Sequence, residues 1–221
     1  MTVDRHVQVH LVETPVHGRV LVRSASGATA AGILVGFHGY GENAAIQLER
    51  LIAIPGTDGW ILASIQGLNR FYRGRSQDTV ASWMTREDRD HAIAANIAYV
   101  DRAITTVRDH ATAGAVPLFF AGFSQGVAMA FRSAVRGSNA ADGVIAVGGD
   151  VPPELLSASG ARFPPALLIR GARDDWYTQA KLEADVRTLQ ARGVPVSPLV
   201  VDAGHEWTPE VSAAAARFLT S

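Results

Sequence analysis

Six short apolar runs, separated by stretches of helical periodicity, limit this chain more than any other feature. Ile33-Leu34-Val35-Gly36-Phe37, Trp60 to Ile65, Val116 to Ala121, Gly143 to Val147, Ala166 to Ile169 and Val196 to Val201 are continuous rather than alternating. Continuous runs belong to strands buried on both faces of a parallel sheet. Pro198 marks the last run as an edge, because proline cannot donate to a ladder. Between the runs, Ile93, Ile97, Val100, Ile104 and Val107 recur at spacings of four and three, which gives a helix one apolar face. Further helices are expected over Ala44 to Ala53, Gln125 to Val135, along the face Leu182, Val186 and Leu189, and at the end of the chain. Val7, Val9 and Leu11 alternate with polar residues and, with Val20-Leu21-Val22, suggest an N-terminal hairpin. The expected fold is α/β: a mostly parallel sheet of about eight strands with helices on both faces.

At 221 residues, of which 48% are hydrophobic, the chain suits one domain over residues 1–221. A formal net charge of −1 argues against a nucleic-acid partner. The absence of cysteine excludes disulfides, thiolate zinc sites and a cysteine nucleophile. No metal-ligand spacing such as H-E-x-x-H occurs, so no metal is expected. The N-terminus lacks the pattern of a signal peptide, and no apolar stretch reaches the roughly 18 residues of a membrane span. A cytoplasmic protein, monomer or homodimer, is the expectation.

Gly122-Phe123-Ser124-Gln125-Gly126 has the form G-x-S-x-G between an apolar run and a helix. A sharp strand-to-helix turn crowds the residues two before and two after the serine, hence the glycines. Such a turn presents the hydroxyl at a helix N-terminus on the C-terminal edge of the sheet, where open α/β sheets hold their ligands. The plainer alternative is a serine N-cap. Among seven histidines, His205 stands in Gly204-His205-Glu206-Trp207, between the last strand and the last helix, and suits a general base for Ser124. His6, His10 and His17 fall in the N-terminal region, and His91 and His110 on or beside a helix. His38 reads as a structural hydrogen-bonding residue. An orienting carboxylate should lie between Ser124 and His205 in the chain, after a strand. Asp174 fits, with Asp175 and Asp150 as rivals; Asp202 reads as a turn former. Glycines in His38-Gly39-Tyr40-Gly41-Glu42-Asn43 allow backbone N–H groups to face a substrate oxygen, so Tyr40 and Gln125 are the candidate oxyanion donors. Glu42 and Asn43 could instead cap the following helix.

HGYGEN (38–43), GFSQG (122–126), GARDDW (171–176) and GHEW (204–207), in this order along the chain, resemble the phospholipase/carboxylesterase group of α/β-hydrolases, which includes the acyl-protein thioesterases. The resemblance spans about residues 30 to 220. It implies a hydrolase without a large cap domain, with a triad on Ser124, Asp174 and His205, oxyanion donors on Tyr40 and Gln125, no cofactor, and a small-molecule ester substrate of short or medium acyl chain. Two departures bear on the substrate: Arg170-Gly171 stands where His-Gly is frequent, and Tyr177-Thr178 where Val-Pro usually follows the acid. A peptidase or acyltransferase with the same triad, or a ligand binder on the same fold, are the alternatives.

One long irregular stretch is expected, from about Gln66 to Glu87. Loops of that length are often functional. Its Phe71 and Trp83 are candidates to border a substrate pocket. Trp176 and Trp207, beside Asp174 and His205 in sequence, either wall that pocket or pack beneath their loops. Arg70, Arg73 and Arg75 suit a solvated basic loop better than an acid-binding one.

Overall fold

The computed structural model describes residues 7–110 and 115–221. Seven strands form the main sheet: β1 (Arg19–Arg23), β2 (Ile33–Phe37), β3 (Ile61–Gln66), β6 (Leu118–Phe123), β7 (Gly143–Val147), β8 (Ala166–Gly171) and β9 (Val196–Val201). Their spatial order is β1-β3-β2-β6-β7-β8-β9. Every pairing is parallel except β1 with β3. β9 is indeed an edge strand. The helices are α1 (Ala44–Ile52), α2 (Arg89–His110), α3 (Gln125–Arg136), α4 (Pro153–Leu156), α5 (Gln179–Gln190) and α6 (Pro209–Leu219).

Strand periodicity divides the core into two layers. Ile33, Val35 and Phe37 of β2 and Leu118 and Phe120 of β6 point to the face covered by α2, α3 and α5. Leu34, Ala121 and Phe123 point to the opposite face, where Leu51 of α1 and Val211, Ala215 and Leu219 of α6 complete the second layer. Both faces of the central strands are therefore dry, which is why these strands are apolar throughout.

Two expectations change. Residues 7–18 form no strand: Val9 and Val12 remain about four-fifths exposed, because no surface is available to bury their alternating face. No hairpin forms there; β1 instead pairs in register with β3, Arg19 opposite Gln66. His6 lies outside the described residues. The segment expected to be irregular contains a two-stranded hairpin, β4 (Asn69–Tyr72) with β5 (Thr79–Ser82), separate from the main sheet.

The direction of winding creates the crevice. From β2 the chain passes to β3 on one side, and later to β6 on the other. The loops leaving the C-terminal ends of β2 and β6 therefore diverge, as they do at the switch point of any open α/β sheet.

Candidate active site

The turn from β6 into α3 is strained. Ser124 has φ 52° and ψ −119°, a region that non-glycine residues seldom adopt. Its N–H donates to the Val147 carbonyl at 2.8 Å, tying the turn to β7. A Cβ on Gly122 would lie 2.5 Å from the Gly126 carbonyl oxygen, and one on Gly126 would collide with the backbone of Phe37. Both glycines are thus required by close backbone approach. The Ser124 hydroxyl does not cap α3; its Oγ lies 2.9 Å from His205 Nε2.

His205 sits on the loop between β9 and α6, and its Nδ1 is 2.8 Å from Asp174 Oδ2. Asp174, on the loop after β8, is 2% exposed. Its other oxygen accepts the N–H groups of Trp176 and Tyr177 at 2.8 and 2.9 Å. Burial together with three donors fixes the carboxylate and, through it, the orientation of the imidazole. Neither rival meets His205: Asp150 pairs with Lys181 at 3.2 Å, and Asp175 is exposed. Asp202 pairs with Arg173. Arg170, the departure from His-Gly, braces this loop from behind, donating to the carbonyls of Tyr177 (2.9 Å) and Ala172 (3.1 Å).

The loop after β2 completes the rim. The N–H groups of Tyr40 and Gln125 donate to no acceptor among the described residues, which leaves both available to an oxygen in the crevice. Asn43 caps α1, accepting from the Ile46 N–H at 3.1 Å. Glu42 has another task. Its Oε2 accepts the Gly39 N–H at 2.8 Å, and both its oxygens pair with Arg50 at 2.6 and 2.7 Å. Burial raises the Glu42 pKa, but Arg50 and the Gly39 N–H outweigh it and hold the carboxyl below its ordinary range. The Arg50 guanidinium lies 4.1 Å from the centre of the Phe123 ring, which packs at 5.1 Å from the His205 ring. His38 is fully buried. Its Nε2 accepts the Gly67 N–H at 2.9 Å, and its Nδ1 lies 2.7 Å from the Gly39 carbonyl. Burial pulls its pKa down, in keeping with a neutral ring that accepts at Nε2.

A cleft of about 1090 Å³ opens over Ser124, bordered by Tyr40, Gln125, Trp176 and His205. Trp176 is two-thirds exposed on its wall, near the Lys181 ammonium. The other aromatic candidates do not line it. Trp83 has no exposed surface, stacks on His38 and donates its indole N–H to the His38 carbonyl at 2.8 Å, so it supports the loop from beneath. Trp207 donates to Ser212 Oγ at 3.0 Å and packs against the α6 layer. Phe71 rests on the Tyr40 ring, 5.7 Å between centroids. Sequence reasoning missed the half-buried Glu42–Arg50 clamp and the cleft arginines Arg89 and Arg132. Arg132 could have been found by its spacing, eight residues beyond Ser124 and on the same face of α3 as Ala128.

Among the described residues, no group of three or more His, Asp or Glu side chains is placed to hold a metal ion, and no helix is long and apolar enough to cross a membrane. The fold is that of the α/β-hydrolases, without a large cap. Esterase PE8 superposes with a TM-score of 0.75 at 23% identity, over 93% of this chain and 99% of its own. Acyl-protein thioesterase 2 from Zea mays superposes with a TM-score of 0.68 at 21% identity, over 92% and 98%. A carboxylesterase from Mesorhizobium loti gives 0.71 at 18% identity, over 92% and 94%. No protein-family model matches the sequence.

Proposed function

We propose that the chain, acting as one domain, is a serine hydrolase that cleaves carboxylic esters or thioesters of short to medium acyl chain through an acyl-enzyme. The reading rests on one observation: the continuous relay from Ser124 Oγ through His205 to Asp174, at 2.9 and 2.8 Å, beside two unengaged N–H groups. The esterases and thioesterases that share the fold are consistent with it.

In this reading Ser124 Oγ attacks the substrate carbonyl carbon while His205 Nε2 takes the hydroxyl proton. Asp174 stabilises the imidazolium so formed. The N–H groups of Tyr40 and Gln125 donate to the oxyanion of the tetrahedral intermediate, where one such donor is worth about 3 kcal/mol. The C–O or C–S bond then breaks, and the imidazolium protonates the departing alcohol or thiol. Water repeats the sequence on the acyl-enzyme, releasing the carboxylic acid and restoring Ser124. The chemistry requires neither cofactor nor metal.

Hydrolysis of p-nitrophenyl acetate and butanoate tests the proposal, together with a serine-directed phosphonate. The expected result is turnover that survives a chelator, with the phosphonate mass on Ser124 and neither turnover nor label in Ser124→Ala. Labelling of another residue, or full activity in the alanine variant, overturns it.

A further inference from the structure

The cleft continues past Ser124 along α3, where Ala128 and then Arg132 form its floor. At 1.5 Å per residue, the Arg132 Cα lies roughly 12 Å from that of Ser124, and helical side chains lean back toward the N-terminus. Arg89, at the start of α2, lines the same end. Glu154 of α4 is shared between them. Arg132 approaches its Oε1 with Nε at 2.8 Å and Nη2 at 2.7 Å, and Arg89 Nη2 is 3.6 Å from Oε2. A third arginine, Arg136, donates to the Glu154 backbone carbonyl at 3.4 Å. Burial raises the Glu154 pKa, but backbone and arginine hydrogen bonds outweigh it and hold the carboxyl below its ordinary range. Two guanidiniums thus approach one carboxylate, leaving one positive charge in excess, while Arg136 reaches only the backbone of the same residue.

The position of Arg132 is unusual. It is only 2% exposed yet borders the cleft. A buried cation is costly unless paired, and here the pairing is incomplete. Its Nη1 has only the Met84 sulfur, at 3.5 Å, a weak acceptor. Arg89 is two-fifths exposed and makes only the 3.6 Å approach to Glu154. Guanidinium N–H groups therefore remain for a ligand in the cleft. Asp150 and Asp175 also line the cleft, as does Trp176, and Asp150 is paired with Lys181. Arg173, another lining residue, is paired with Asp202. Of the arginines that line the cleft, Arg89 and Arg132 share a single carboxylate.

We infer that Arg89 and Arg132 form an anion subsite, so that the preferred substrate carries a compact oxyanion, a carboxylate or phosphate, on the arm that runs along α3 from the scissile carbonyl. Planar guanidiniums match either group with paired N–H donors. The inference rests on the hydrolase reading for the position of the scissile bond, but not for the anion site itself.

The test has two independent arms. In the first, p-nitrophenyl hemisuccinate, hemiglutarate and hemiadipate are compared with neutral esters of equal length at fixed ionic strength. A parallel series places a carboxylate or phosphate on the alcohol part of a phenyl butanoate. The best anionic ester should exceed its neutral counterpart by about tenfold or more in kcat/KM, mostly through KM, and the advantage should shrink with added salt. Arg89→Gln should bring the ratio close to one, as should Arg132→Gln; Arg132→Lys serves if the glutamine variant does not fold. In the second arm, calorimetry measures binding of glutarate and of inorganic phosphate to the wild type and to Arg89→Gln. Binding by the wild type and its loss in the variant support the subsite even if no ester is turned over, in which case only the hydrolase reading fails. Turnover of neutral esters with no anionic preference in either series and no anion binding overturns the subsite alone. A preference that survives both arginine substitutions overturns it as well.

Discussion

The two sides of the rim around Ser124 are built on different supports. Asp174 and His205 stand on loops that leave β8 and β9, whose ladder runs unbroken from Ala166–Val196 to Gly171–Val201. The facing side is carried by the β4–β5 hairpin, which is joined to the body at scattered points. These include an isolated bridge between Glu42 and Ala81, the Trp83 indole on His38, the Asn96 amide on the Trp83 carbonyl at 2.6 Å, and the Gln125 side chain on the Trp83 N–H at 3.0 Å. The first side sets two reacting groups to within hydrogen-bonding distance by means of a regular ladder. The second holds a loop in place by individual side chains reaching across more than ten residues of sequence. Substitutions on the first side should therefore alter chemistry with little change in stability, and substitutions at the anchors of the second should do the reverse.

Asp174→Asn tests the first half of that contrast and should give the largest effect. An amide nitrogen facing His205 Nδ1 favours the wrong tautomer, which in serine proteases lowers turnover by about ten-thousand-fold. Asp175→Asn and Asp150→Asn should change turnover by only a few-fold, since neither carboxylate touches His205. All three should melt near the wild-type temperature. A large loss in Asp175→Asn or Asp150→Asn, with Asp174→Asn active, would assign the acid to the wrong residue.

The same contrast explains what could be read from the sequence. Ser124, His205 and Asp174 each fall in a short segment directly after an apolar run, so strand order and local turn chemistry suffice to bring them to one edge. Five of the six runs are legible because burial on both faces leaves no polar alternation, whereas the sixth, β9, is an edge strand exposed or half-buried over most of its length. Trp83 is different. An aromatic side chain in a polar-looking stretch reads as a pocket wall, and only tertiary contacts reveal that it stacks on His38 with no exposed surface. The β4–β5 hairpin was equally obscure, because its strand β4 is exposed along its whole length and lacks any burial pattern. In residues 7–18 the error ran the other way: the alternation is present, but strand β3, the available partner, takes β1 instead.

Trp83→Ala probes the second half. Removing a fully buried aromatic side chain typically costs about 3–5 kcal/mol, and here the indole hydrogen bond to the His38 carbonyl is lost as well. Denaturant titration should register that loss. Trp176→Ala, at a position two-thirds exposed, should cost about 0.5 kcal/mol or less. If the two variants are equally stable, the hairpin side is not anchored through Trp83.

The smallest effect concerns a carboxylate beneath the ladder side. Asp185 of α5 accepts the Val151 N–H at 3.1 Å and the Tyr177 hydroxyl at 3.0 Å. It thereby joins the loop after β7 to the loop that carries Asp174, whose Oδ1 takes the Tyr177 N–H. Burial pushes the Asp185 pKa up to about 6 from 3.8, aided by the Asp150 carboxylate and opposed by its two hydrogen bonds and the Lys181 ammonium. Between those pH values the folded chain holds a proton that the unfolded chain has released, so stability must fall as pH rises through this window. The contribution is complete below about 3.8 and gone above about 6. Asp185→Asn keeps an acceptor oxygen for both donors but cannot ionise. Its stability relative to the wild type should therefore rise from pH 4.5 to pH 7.5 by at most about 2 kcal/mol, which corresponds to the part of the pKa shift lying above pH 4.5. His38, whose lowered pKa gives stability the opposite slope below pH 6.5, titrates in both proteins and cancels in the difference. Paired thermal melts across that range check the expectation. A difference that stays flat with pH would mean that Asp185 is already relieved of its burial cost, and that the ladder side holds its two loops without a penalty at neutral pH.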